Sequence, residues 1–112
     1  MNNDINGEGA FYWKDGRMYI GNWSNNKMNG YGIFIWPDKK KYYGFYVNNL
    51  KEGLGTFYWN DGYKFEGFWK EGKQNGYGYI KGNNGDKYGY WLDGILYNKI
   101  SDEKTIKSID KK

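Results

Sequence analysis

Cysteine and histidine are absent from this chain, and proline occurs once. Without cysteine there is no disulfide framework, which fits a reducing compartment. Without histidine or cysteine, the commonest acid–base and thiol groups of enzymes are missing. Ser24, Ser101 and Ser108 therefore have no histidine to activate them, and no set of acidic residues has a metal-ligand spacing. The reading expects no enzyme, no metal and no cofactor. No apolar run approaches the length of about 18 residues that a membrane span needs. The first residues, MNNDINGEGAFYW, carry no apolar segment of the secretory type, so the chain is expected to be cytoplasmic and not secreted. Asn22-Trp23-Ser24 matches a glycosylation acceptor, and in a chain that is not secreted it is a chance match.

Aliphatic residues are also scarce. The hydrophobic share is 38%, yet aromatics reach 22%, with 18 glycines in 112 residues. Tyrosine, tryptophan and phenylalanine bury large areas, and tyrosine and tryptophan keep a polar edge. Such a composition suits a thin sheet better than a thick two-layer core. Net charge is +4, from 17 basic and 13 acidic residues. That permits an acidic partner without requiring one. Acidic residues are interspersed with the basic ones and no basic stripe forms, so no nucleic-acid partner is expected.

The glycines and aromatics recur in phase. A Gly-x-Gly pair stands at Gly7/Gly9, Gly30/Gly32, Gly53/Gly55 and Gly76/Gly78, a period of 23 residues. Phe11, Phe34 and Phe57 follow four residues after the first glycine, with Ile80 in the fourth copy. Trp13, Trp36 and Trp59 come two residues later, with Gly82 in the fourth. A turn signal follows at Asp15-Gly16, Asp38-Lys39, Asp61-Gly62 and Asn84-Gly85. Next comes an aromatic-x-Gly-x-aromatic unit: Tyr19-Gly21-Trp23, Tyr42-Gly44-Tyr46 and Phe65-Gly67-Trp69. The fourth copy is one residue short, at Gly89 and Trp91.

Both halves alternate with period 2, a strand signal, and the Asp-Gly pairs mark tight hairpins. A three-residue loop such as Lys14-Asp15-Gly16, with its last residue left-handed, sets the register. Trp13 then faces Arg17, Phe11 faces Tyr19, Gly9 faces Gly21, and Gly7 faces Trp23. Lys39 stands where glycine belongs, at a cost of about 1 kcal/mol. The fourth hairpin has two registers: Tyr88 opposite Ile80, or Lys87 opposite Ile80 with Tyr88 turned outward. The glycines lie on the aromatic face, where a side chain would collide with a ring. Longer connections, Ser24 to Asn29, Asn48 to Glu52 and Lys70 to Asn75, join the hairpins. Their positions Asn26, Asn49, Gly72 and Gly94 tolerate left-handed geometry. Four hairpins predict eight strands in an elongated antiparallel meander.

YIGNWSNNKMNGYG (19–32), YYGFYVNNLKEGLG (42–55) and FEGFWKEGKQNGYG (65–78) resemble MORN repeats, whose pattern is aromatic-x-Gly-x-Trp, a loop, then Gly-x-Gly. The resemblance implies an all-β, single-layer antiparallel meander of about four stacked hairpins. It also implies a non-catalytic scaffold or adaptor for protein partners at cortical, cytoskeletal or ciliary structures, and in some members an attachment to acidic lipid. The expected division is an N-terminal extension (1–6), a repeat sheet (7–94) with three well-formed copies and a degenerate fourth, and a C-terminal tail or short helix (95–112). Ser101-Asp102-Glu103 provides a helix start for that last segment.

Three candidate sites follow. The aromatic ladder (Phe11, Trp13, Tyr19, Trp23, Phe34, Trp36, Tyr42, Tyr46, Phe57, Trp59, Phe65, Trp69) reads first as packing and second as a groove for a helical or extended peptide. The reverse face of the second copy (Tyr31, Ile33, Ile35, Tyr43, Phe45, Val47) carries no charge. It is either a protein-partner site or a surface covered by the tail or by a curl of the sheet. Lys39, Lys40 and Lys41 at one hairpin tip give the alternative of a peripheral module on anionic phospholipid, against a simple solvated turn. Self-association through open sheet edges is a further outcome of this architecture.

Overall fold

The computed structural model describes residues 4–83 and 85–100. Nine strands form one open antiparallel sheet, each paired with its neighbour in sequence. They are β1 (Gly7–Tyr12), β2 (Met18–Ser24), β3 (Lys27–Ile35), β4 (Lys41–Val47), β5 (Leu50–Tyr58), β6 (Lys64–Lys70), β7 (Lys73–Lys81), β8 (Lys87–Leu92) and β9 (Ile95–Ile100). No helix among the described residues is long and apolar enough to cross a membrane.

The Asp-containing tips are built alike. The Asp15, Asp38 and Asp61 carboxylates accept the backbone N–H of Arg17, Lys40 and Tyr63 at 3.1–3.2 Å. The residue after each aspartate is left-handed: Gly16 (φ 100°), Lys39 (φ 78°) and Gly62 (φ 93°). Each aspartate thereby folds its own loop, and its recurrence has a structural cause. The register follows as expected, with Phe11 opposite Tyr19, Gly9 opposite Gly21 and Gly7 opposite Trp23.

The connections between hairpins differ from the expected longer loops. β2 ends at Ser24 and β3 starts at Lys27, leaving only Asn25-Asn26 between them. Both residues have positive φ (50° and 68°), as do Asn48-Asn49, Glu71-Gly72 and Asp93-Gly94. Two left-handed residues make the tight turn whose twist matches a hairpin. These turns also hydrogen-bond to the chain segment at the equivalent edge of the preceding repeat. Asn49 N–H donates to Met28 O (3.0 Å), and Met28 N–H returns a bond to Asn49 Oδ1 (2.9 Å). Asn26 makes the same exchange with Ile5. Gly72 and Gly94 keep only the backbone half, to Lys51 O and Gln74 O.

The two glycines of each Gly-x-Gly pair have different reasons to be glycine, where the sequence supplied one reason for both. Gly30, Gly53 and Gly76 have φ between 72° and 116°. They sit where the register slips, between Gly21↔Gly32 and Trp23↔Met28 and at the two equivalent places. They make bulges. Gly32, Gly55 and Gly78 are instead overlaid by the rings of Tyr19, Tyr42 and Phe65, so that a Cβ there would overlap the ring.

Two further outcomes concern the C-terminal end. In the fourth hairpin Ile80 pairs with Lys87 and Tyr79 with Tyr88, which selects the second of the two registers. The sheet then continues past Gly94. Asp93-Gly94 turns the chain, and β9 pairs with β8, giving nine strands instead of eight. The helix expected from Ser101 lies outside the described residues.

Candidate functional site

The aromatic face is the core of this sheet. Tyr19, Trp23, Phe34, Tyr42, Tyr46, Phe65, Trp69 and Trp91 are buried, with Trp13, Trp36, Phe57 and Trp59 packed beside them. Phe11, on the outer strand, remains 39% exposed. A tilted ladder runs Phe11, Trp13, Phe34, Trp36, Phe57, Trp59, with neighbouring ring centroids 4.4–5.4 Å apart. Such spacing is in the range where aromatic pairs contribute beyond area alone. Behind it, Tyr19 and Tyr42 meet Tyr46 edge-on at 5.4 and 5.2 Å.

Polar edges on this face are used internally. Tyr19 Oη–H donates to Asn22 O (3.2 Å) and Tyr42 Oη–H to Phe45 O (3.1 Å), both at bulges. Trp23 Nε1–H donates to Gly9 O and Trp69 Nε1–H to Gly55 O. Burial pushes the phenols of Tyr42 and Tyr46 well above the ordinary tyrosine value.

Sequence reasoning missed Lys51 on this face. Its Nζ lies 5.4–5.7 Å from the ring centroids of Trp36, Tyr42, Phe57 and Trp69. Burial lowers its pKa. Met28 and Gln74 hold the equivalent places one period away, opposite Trp23 and Trp69 as Lys51 is opposite Tyr46. The signal was a 23-residue recurrence directly after each tight turn, where residue type varies and pattern-matching sees nothing.

The reverse face is different. Tyr43, Phe45 and Val47 are 46%, 49% and 48% exposed, and Tyr31, Ile33 and Ile35 are half-buried beside them. The structure brings these six together on β3 and β4. Tyr31 packs against Tyr43 (4.8 Å) and Phe45 (5.3 Å). The apolar surface also extends beyond the second copy, through Ile20 on one side and Leu54 and Phe68 on the other, all exposed. Lys41 sits on this same face at the tip end, with Nζ 5.3 Å from the Tyr58 ring. Farther along, Tyr79 Oη–H donates to Asp86 at 2.8 Å, and that bond pushes the phenol up to about 12.

The three tip lysines do not converge. Lys40 Nζ pairs with Asp38 at 3.1 Å, Lys41 turns onto the reverse face, and Lys39 is exposed in the left-handed turn position. Among the described residues, no group of three or more acidic side chains is placed to hold a metal ion.

The repeat geometry has a family counterpart. The MORN repeat model matches residues 1–16, 19–41, 42–62 and 65–87. The chain belongs to the MORN-repeat family. Among curated proteins, none matches it. MORN repeats are non-catalytic and mediate protein–protein interactions in general. Three of the four matched units begin at Tyr19, Tyr42 and Phe65. Each of these three units therefore starts with the ring that covers a glycine pair, and so with the contact that ties one hairpin to the next.

Proposed function

We propose that this MORN-repeat chain is an adaptor that holds a protein partner against its reverse face, through Tyr31, Ile33, Ile35, Tyr43, Phe45 and Val47. One observation supports this reading above the others. The fold is packed by the aromatic face, yet large apolar side chains remain exposed on the face that does not need them. Contiguous exposed apolar surface of this kind characterises interaction sites. The partner contributes a helical or extended segment with an apolar side, and the place of action is a cortical, cytoskeletal or ciliary structure.

Proximity labelling in the source cell, with the wild type beside Phe45→Lys, tests the reading. The expected result is a set of labelled proteins lost in Phe45→Lys, with the melting temperature of the variant unchanged. An identical set in both would remove this surface from the account.

The alternative, a peripheral module on anionic lipid through Lys39, Lys40 and Lys41, has less support. One of the three cations is already paired with Asp38 and another is turned to a ring. Flotation with anionic vesicles at low salt, lost when all three become glutamine, would restore it.

A further inference from the structure

The ring ladder on the aromatic face stops at Trp59. In the earlier copies Trp13 stacks on Phe34 at 5.3 Å and Trp36 on Phe57 at 5.4 Å. The next partner in phase is Ile80, and the tryptophan position after it is Gly82. Two rings are therefore missing. Tyr63 takes one of the spaces, its ring lying where a Cβ of Gly82 would be. The other is filled only in part, by Ile80, which packs against the buried rings. A cavity of about 460 Å³ lies there, between Trp59, Tyr63, Ile80, Trp91 and Leu96. Asp61 and Lys87 stand on its lining, and neither forms an ion pair among the described residues.

We propose that this cavity is a binding site for one aromatic side chain, supplied by a protein segment that carries charges of both signs beside it. The walls are those of a ring slot. Trp59 closes one side as Trp13 and Trp36 do in their own copies, and there they meet a phenylalanine. A ring entering from outside restores the stacking that Ile80 cannot make. The adjacent charges fix the chemistry of the flanking residues, because a carboxylate answers Lys87 and an ammonium or guanidinium answers Asp61. An isolated cation is less suited, since Lys87 would repel it. The neighbouring box shows how this face meets a cation, and there it uses four rings around Lys51 with no second cation among them. This site lies on the opposite face from the surface proposed above, so each can fail independently of the other.

Methyl-detected NMR of the intact chain tests it, using blocked tripeptides Asp-Trp-Lys and Lys-Trp-Asp as probes, the same pair with alanine in place of tryptophan, and free indole. A bound ring shifts nearby methyl signals through its ring current. Saturable shifts of the Ile80 and Leu96 methyls are expected with at least one tryptophan peptide and not with the alanine peptides. The tryptophan peptide is expected to bind at least threefold more tightly than indole. Ile80→Phe, which places the residue type of Phe11, Phe34 and Phe57 in the slot, is expected to weaken binding at least tenfold, read at Leu96. Leu96→Trp fills the same space from the opposite wall and gives the same result, read at the Ile80 methyls, if Ile80→Phe fails to fold. No shift with either tryptophan peptide overturns the proposal, as does unchanged binding in a folded filled-slot variant. Indole binding as tightly as the peptides would assign the cavity to a small aromatic molecule and overturn the protein-segment assignment.

Discussion

At the residue scale, the glycines divide by what each would lose to a side chain. Gly55 lies beneath Tyr42, whose ring occupies the space of a Cβ. Gly53 has open space around that position but a φ of 72°. Gly55→Ala is therefore expected to destabilise by about 2 kcal/mol or more, through a displaced buried ring. Gly53→Ala should cost only about 1 kcal/mol, through backbone strain. Urea denaturation of the two variants checks the order. Lys51 is the other residue with a definite sign. Burial lowers its pKa, because taking the ammonium out of water disfavours the charged form. Faces of four rings offset part of that. Lys51→Met, the residue at the equivalent position 28, is expected to raise stability by about 1 kcal/mol at neutral pH. A loss of stability would mean that the ring faces outweigh desolvation. The clash of a side chain with a ring was legible from the sequence, but the bulged glycine and the place of Lys51 were not. Period-2 patterning assigns a face but does not show which glycine is bulged or which lysine lies among rings.

At the element scale, the tips were legible and the turns on the other side were not. An Asp-Gly pair between alternating strands has one natural fold, and it fixed Phe11 against Tyr19 and Gly9 against Gly21. Ser24 to Asn29 looked like a loop because serine and asparagine are poor strand formers. Lys27, Met28 and Asn29 belong to β3 because a bulge at Gly30 restores the pairing and because Asn25-Asn26 alone completes the turn. The same physics extended the sheet to β9, since Asp93-Gly94 is a turn of the same kind, followed by Ile95, Leu96 and Tyr97. The short fourth copy was open between two registers, and the one that keeps Gly78 opposite Gly89 and Gly76 opposite Trp91 prevailed. That pairing leaves Trp91 beside Phe65 at 4.9 Å. Two turn positions remain suboptimal: Lys39 at φ 78° and Glu71 at φ 50°. Lys39→Gly and Glu71→Asn are each expected to stabilise by about 0.5–1 kcal/mol, measurable as a higher thermal midpoint.

At the scale of the whole molecule, the aromatic face holds the packing, and large apolar side chains stay exposed on the reverse face, which does not supply it. The folding face contains buried phenols, and this fixes a pH dependence. Tyr42 and Tyr46 hold their protons above the ordinary tyrosine value because burial disfavours the phenolate. The unfolded chain releases those protons near its ordinary pKa of about 10. Their contribution to stability is thus fully present below that pH and is lost as pH rises through the higher folded values. Denaturant midpoints taken across the alkaline range should fall, and the double variant Tyr42→Phe, Tyr46→Phe should fall less steeply. The candidate partner surface was legible only in part. Its six residues read as uncharged from the sequence, but its continuation through Ile20, Leu54 and Phe68 depends on which strands lie side by side. The expected meander already put those strands side by side, and the structure adds that these three side chains are exposed.

The sheet is packed by its aromatic face, and the reverse face proposed for the protein partner contributes little to that packing. Denaturant unfolding of Tyr42→Ala beside Phe45→Lys tests it most directly, because these residues lie three apart on the same strand, one buried and one exposed. The account predicts a loss of about 3–5 kcal/mol for Tyr42→Ala and less than about 1 kcal/mol for Phe45→Lys. Equal losses, or a larger loss for Phe45→Lys, would contradict it.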